Sequence, residues 1–360
     1  MRRLCLVVVL CLSPLLLRAA DGPAKKAADL YVVGIGQEEG WQFLPEGFAR
    51  VVRDQGKGVY REVHARVLTG KKATRKELLD SLDWMCEQAK ADDLVMVFIA
   101  CHGTCTADGE SVFATRQGTV RPRDIKTKLA KLPCHAIVVN DACCLGNWPK
   151  ELPGDPMPPN VTALCCCLST QVSGIEFDIT LFEALYGKAD FNKDGFVDLD
   201  ETIKYCGLRI KEVQGGKLTP VMYKAKNLKH NPVLTKANPD LIGVVHKREV
   251  FAAVLDKQAG DTYDVRVIGF DKPGNAGLGG GTMPNQFTRA NVILSRDGAA
   301  LMAKKEGGWH PACLMGKEGE DYKIRYLGSD AEAVVKSEHV RHLFAGNPGE
   351  AFPLGLFRRK

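Results

Sequence analysis

The 360-residue chain reads as an α/β protein, a mostly parallel sheet covered by helices, followed by two small β-rich repeats. Three observations carry this reading. The runs at 94–100 and 136–139 are apolar without polar alternation, as strands buried on both faces are. Between residues 28 and 238 helix-like and strand-like patterns alternate, the order that βαβ units require. Beyond residue 239 the chain repeats itself at an offset of 59 residues, each copy reading as short strands joined by turns.

Taken in order, Met1, Arg2 and Arg3, an apolar stretch at 4–17 and Arg18-Ala19-Ala20 have the layout of a secretory signal peptide cut after Ala20. The stretch is short for a membrane span. The expected location is therefore the periplasm, cell envelope or medium, with a membrane role only if this segment is retained. Formal charge is +6, and +3 once Arg2, Arg3 and Arg18 are removed, evenly spread, so no nucleic-acid partner is expected. Thirteen cysteines become 11 without Cys5 and Cys11, an odd and clustered set unlike a disulfide framework. Cys165, Cys166 and Cys167 read as small core hydrophobes. An opening strand at 28–36 leads to a loop, a helix at 46–55 and a strand at 59–68. Thr74 and Glu77 form a capping box for a helix whose Leu78, Leu82, Met85 and Ala89 share one face. After the run at 94–100 come a hairpin near 111–115, a helix at 124–129 and the second run, with Cys134 and His135 at its edge. Helices around 181–185 and 203–213 and a linker at 224–239 close the first unit.

The two apolar runs end in reactive side chains, His102 and Cys143. Parallel strands deliver both to the carboxyl edge of the sheet, where ligands of open α/β sheets bind. A thiolate beside an imidazole is a nucleophile paired with a proton donor. Gly103 lets a carbonyl approach the backbone, and the amides of Gly103 and Cys143 are candidate oxyanion donors. Cys101, His102 and Cys105 lack the second ligand pair of a zinc site.

The pattern strand-His102-Gly103 followed by strand-Asp141-Ala142-Cys143 resembles the caspase-like superfamily, and within it metacaspases and bacterial caspase-like peptidases. The strand at 28–36, the helix start at Ala73-Thr74 and the step Leu168-Ser169-Thr170 match in order, so the likeness spans about 28–238. It implies a caspase-like cysteine endopeptidase with His102 and Cys143 as dyad and a protein or peptide substrate. It also implies that Asp141 lines the S1 pocket and selects Arg or Lys. Lys150 is then a position for self-cleavage. The chain departs from the family pattern in carrying Cys144 directly after the nucleophile.

The stretch 190–201 carries an EF-hand-like ligand pattern: Asp190, Asn192, Asp194, the Phe196 carbonyl, Asp198 and Glu201, with Gly195 for the sharp turn. Calcium, structural or regulatory, is the expected ion, and no organic cofactor is expected. In the C-terminal part, Ala253 aligns with Ala312, Gly260 with Gly319, Tyr263 with Tyr322 and Arg266 with Arg325. The copies, at 246–295 and 305–345, resemble SH3-like barrels of the Tudor or agenet type, which implies a protein partner. The Gly-rich stretch 273–284 reads as a loop. The alternative to a protease is a catalytically silent caspase-like scaffold acting through these repeats.

Overall fold

The computed structural model describes residues 28–37, 43–106, 110–144, 146, 148, 157–172, 176–214, 218–228, 230–238, 240–246, 249–268, 284–288, 291–293, 300–305, 308–326 and 331–342. The signal-like segment, Lys150 and most of the Gly-rich stretch lie outside them.

In chain order the first unit begins β1 (Leu30–Gly36), α1 (Phe43–Gln55), β2 (Val63–Thr69), α2 (Arg75–Gln88) and β3 (Leu94–Ala100). It continues β4 (Gly103–Cys105), β5 (Ser111–Ala114), β6 (Thr119–Val120), α3 (Pro122–Leu129), β7 (His135–Asp141) and β8 (Val161–Cys165). It ends α4 (Glu176–Glu183), β9 (Phe196–Asp198), α5 (Leu199–Gln214), β10 (Val221–Tyr223) and β11 (Val233–Lys236). Six strands form one sheet in the order β10-β8-β7-β3-β1-β2. All its pairings are parallel except that of β10, which runs antiparallel to β8.

Alternation along the strands explains why they carry no polar face. Leu30, Val32, Met96, Phe98, Ile137 and Val139 pack under α1, α4 and α5, whereas Tyr31, Val33, Val95, Val97, Ala136 and Val138 pack under α2 and α3. Both pleat faces are interior, so a period-two pattern of polarity has nothing to report. Phe48 of α1 stacks on Phe98 of β3 with ring centroids 4.7 Å apart. Thr74 caps α2 by accepting from the Glu77 N–H at 3.2 Å.

Several boundaries differ from the sequence expectation for local reasons. The strand expected at 59–68 starts only at Val63, because Val59 and Tyr60 belong to a turn closed by their N–H groups onto the Gly56 carbonyl. Tyr60 is buried in that turn and donates to the Val233 carbonyl at 2.6 Å. The helix α1 starts at Phe43, three residues early, with Pro45 in the first turn, where its missing N–H costs nothing. The hairpin near 111–115 is part of a three-stranded sheet, β4-β5-β6. The helix α4 ends in a π-helical turn, Ala184–Lys188, where Gly187 takes φ 119°.

The C-terminal part comprises β12 (Leu241–His246), β13 (Glu249–Ala259), β14 (Thr262–Val267), β15 (Gln286–Thr288) and β16 (Val292–Ile293). It then repeats as β17 (Ala300–Lys305), β18 (Gly308–Glu318), β19 (Asp321–Tyr326), β20 (Glu332–Val335) and β21 (Val340–His342). Each set is a five-stranded sheet with the same neighbour order, β15-β14-β13-β12-β16 and β20-β19-β18-β17-β21. Register slips recur at Leu255/Lys257 and at Leu314/Gly316, and the hairpin glycines Gly260 and Gly319 take φ 57° and 64°. The first strand of each sheet lies ahead of 246 and 305, the starts expected for the copies.

The two sheets are held differently. Ala252, Val254 and Ile268 of the first join the core on the α1 face, and Arg266 pairs with Asp54 of α1 at 3.3 Å. The second has its own small core of Ala303, Ala312, Ile324 and Tyr326. Among the described residues no helix is long and apolar enough to cross a membrane.

Candidate active site

Strands β3 and β7 lie side by side with Ala100 opposite Asp141, so both end at the same height on the same edge. The last bond between them runs from the Cys101 N–H to the Asp141 carbonyl at 3.4 Å, after which the chains part. His102 stands exposed at this fork. Its N–H donates to Gln37 Oε1 at 3.3 Å, and its carbonyl accepts from the Ala114 N–H at 2.8 Å. Cys143 is half-buried two residues past the end of β7.

The two turns touch through their backbones. A Cβ built on Gly103 would stand 2.2 Å from the Cys143 carbonyl oxygen, so only glycine permits this approach. The bond from Ala114 to His102 makes those two a bonded pair of the β4–β5 ladder. Gly103, opposite Phe113, therefore falls at a non-bonded position, and the ladder does not consume its N–H. The structure thus brings His102, Gly103 and Cys143 to one fork.

The turn after Cys143 is strained and heavily anchored. Cys144 takes φ 62°, a left-handed conformation that costs a non-glycine residue about 1–2 kcal/mol. Its N–H donates to the Gln171 carbonyl at 3.1 Å, and its own carbonyl accepts from Ser111 Oγ at 3.2 Å. The Gly146 carbonyl accepts from Tyr223 Oη at 3.0 Å, and a Cβ at Gly146 would meet Leu168 Cα at 2.6 Å. Trp148 is buried edge-on against Phe113. Gln37, Ser111, Gln171 and Tyr223 carry no local sequence signal for these roles; each acts on residues distant in the chain.

Asp141 is the last residue of β7, buried, on the same face as Ile137 and Val139. Its charge adds to burial in pushing the Cys101 thiol up to about 12. Burial likewise pushes Cys165 and Cys134 up to about 12, which leaves them inert as nucleophiles at neutral pH. Cys165, Cys166 and Cys167 are all fully buried, as core hydrophobes should be. Among the described residues Cys86, Cys101, Cys134, Cys143, Cys144, Cys165, Cys166, Cys167 and Cys206 form no disulfide.

The acidic loop sits at the other end of the sheet. Strand β9 pairs with β11, whose Val233 carbonyl is bound by Tyr60, just ahead of β2. A cavity of about 560 Å³ lined by Phe196, Tyr60, Leu94 and His135 marks this amino edge. Within the loop, Asp190 accepts from the N–H groups of Asp194 and Gly195, both at 3.1 Å, and Asn192 accepts from Asp194 at 2.9 Å. Asp194 accepts from the Phe196 N–H at 2.8 Å, and Asp198 from that of Glu201 at 2.8 Å. Glu201 reaches back to the N–H groups of Phe191 and Asp198 at 3.0 and 3.1 Å, and Gly195 takes φ 83°. Among the described residues no group of three or more His, Cys, Asp or Glu side chains is gathered to hold a metal. The donor chemistry nevertheless suits a hard cation, since every side chain of the set presents oxygen and each oxygen keeps a second lone pair. Beneath the loop, buried Glu183 accepts from Tyr205 Oη at 3.1 Å and from Arg209 Nε at 3.3 Å, which ties α4 to α5.

No protein-family model matches the chain, and no curated protein matches it. Protein GSU0716 from Geobacter sulfurreducens superposes on 59% of this chain and 98% of its own, at 14% identity and a TM-score of 0.40. Caspase-1 from Spodoptera frugiperda does so on 59% and 92%, at 13% identity and a TM-score of 0.41. At such scores neither likeness bears on the chemistry.

Proposed function

We propose that the chain is an exported caspase-like cysteine endopeptidase that cleaves after Arg or Lys. The observation that supports it most is the backbone contact of Gly103 with Cys143 beside His102, at the carboxyl edge of the sheet. Cys143 thiolate attacks the scissile carbonyl, and the oxyanion is held by the Gly103 and Cys143 amides. His102 protonates the leaving amine, and then takes a proton from the water that frees the acyl group. Asp141 pairs with the basic side chain at P1.

Calcium is the ion proposed for Asp190, Asn192, Asp194, Phe196, Asp198 and Glu201. When bound it supplies the positive charge that four neighbouring carboxylates lack. Its place at the amino edge favours a clamp between α4 and α5 over a direct part in cleavage.

The test uses residues 21–360 with a fluorogenic Arg-terminated peptide, an Asp-terminated control and Cys143→Ala, each with calcium or chelator. Cleavage after Arg that vanishes in the variant is the expected result. No turnover in a folded, reduced and calcium-replete sample would overturn it. The duplicated C-terminal sheets would then favour the second reading, a scaffold that binds a protein partner through them.

A further inference from the structure

Cys144 holds its left-handed turn only because its surroundings over-determine it, and strain kept beside a reacting group is a mark of positioning. Both peptide groups of Cys144 are bonded, and the carbonyl two residues on is bonded as well. Two of these three bonds come from side-chain hydroxyls on separate elements, Ser111 of β5 and Tyr223 of β10. Ser111 lies 33 residues before Cys144, and Tyr223 lies 77 after Gly146. They grip the turn from the β4-β5-β6 sheet and from the antiparallel edge strand.

Taking the chain as the endopeptidase proposed above, we propose that Ser111 and Tyr223 are positioning residues. Their hydroxyls fix the strained turn so that the Cys143 thiol stays at the His102–Gly103 fork. Each hydroxyl donates to a backbone carbonyl of the turn, that of Cys144 or of Gly146. Burial raises the Tyr223 hydroxyl above its ordinary value, so it remains a donor throughout the working pH range.

Ser111→Ala and Tyr223→Phe each delete one hydroxyl and little else. A hydrogen bond of this kind accounts for about a fivefold effect. Each variant is expected to lose about fivefold in kcat on the Arg peptide with KM unchanged, and Ser111→Thr to recover most of it. The second readout needs no turnover: the rate at which iodoacetamide labels Cys143, followed by mass spectrometry against pH. In the wild type the midpoint should lie below the free-thiol value, and in both variants it should move up towards it. Unchanged kcat and an unchanged midpoint in folded variants would overturn the positioning role. If the wild type itself neither cleaves nor shows a lowered midpoint, the endopeptidase reading fails, and the positioning role is overturned with it. A lowered wild-type midpoint without cleavage leaves the variant midpoints to decide, since they alone report where the thiol stands.

Discussion

Replacing Gly103 with alanine puts a Cβ 2.2 Å from the Cys143 carbonyl oxygen, whereas real Cβ contacts essentially never fall below 3.0 Å. The two turns must then separate by about 0.8 Å, and a misplacement near 1 Å costs about a hundredfold in rate. That is about 2.7 kcal/mol of barrier. The perturbation is local, because β4 is a three-residue strand in a small sheet outside the six-stranded core. Far-UV circular dichroism and the thermal midpoint should therefore stay near wild type while kcat/KM on the Arg peptide falls about a hundredfold. Cys143 alkylation should slow at neutral pH in parallel. Activity within about threefold of wild type would refute the reasoning, since the fork would then tolerate the very separation that glycine prevents.

Cys144→Gly should be more stable than Cys144→Ala by about 1 kcal/mol, the reverse of the usual order, because only glycine adopts φ 62° without strain; chemical denaturation measures it. Arg209→Met takes the guanidinium away from the buried Glu183 carboxylate and leaves the Lys188 ammonium to face it, and should cost about 3 kcal/mol, read as a fall in the thermal midpoint. Burial lowers His135 from 6.5 to about 4. A histidine lowered on folding contributes stability that is complete above the unfolded value and lost as pH falls from 6.5 towards 4, about 3 kcal/mol in all. Urea titrations at pH 7 and pH 4 should show this loss in the wild type and a smaller one in His135→Gln. If calcium occupies the acidic loop, an excess of a hundred times its dissociation constant should add about 2.7 kcal/mol over chelator, and Glu201→Gln should abolish that gain.

Alone, the sequence determined the features that are local. Apolar runs without alternation required strands covered on both faces, and β3 and β7 are such strands. Their shared direction placed His102 and Cys143 at one edge, and the offset of 59 residues foretold two sheets of the same strand order. Val59 and Tyr60 misled, because an apolar pair packed into a turn looks like the start of a strand. Tertiary structure alone decided how closely Gly103 meets Cys143, which hydroxyls hold the Cys144 turn, and that the acidic loop lies at the far edge of the sheet. It also decided that the first C-terminal sheet is fixed to α1 through Arg266 and Asp54, 212 residues apart. The physical reason is range. Periodicity and turn chemistry act over a few residues and are written in the chain, whereas contacts between distant residues exist only once register and packing have brought them together.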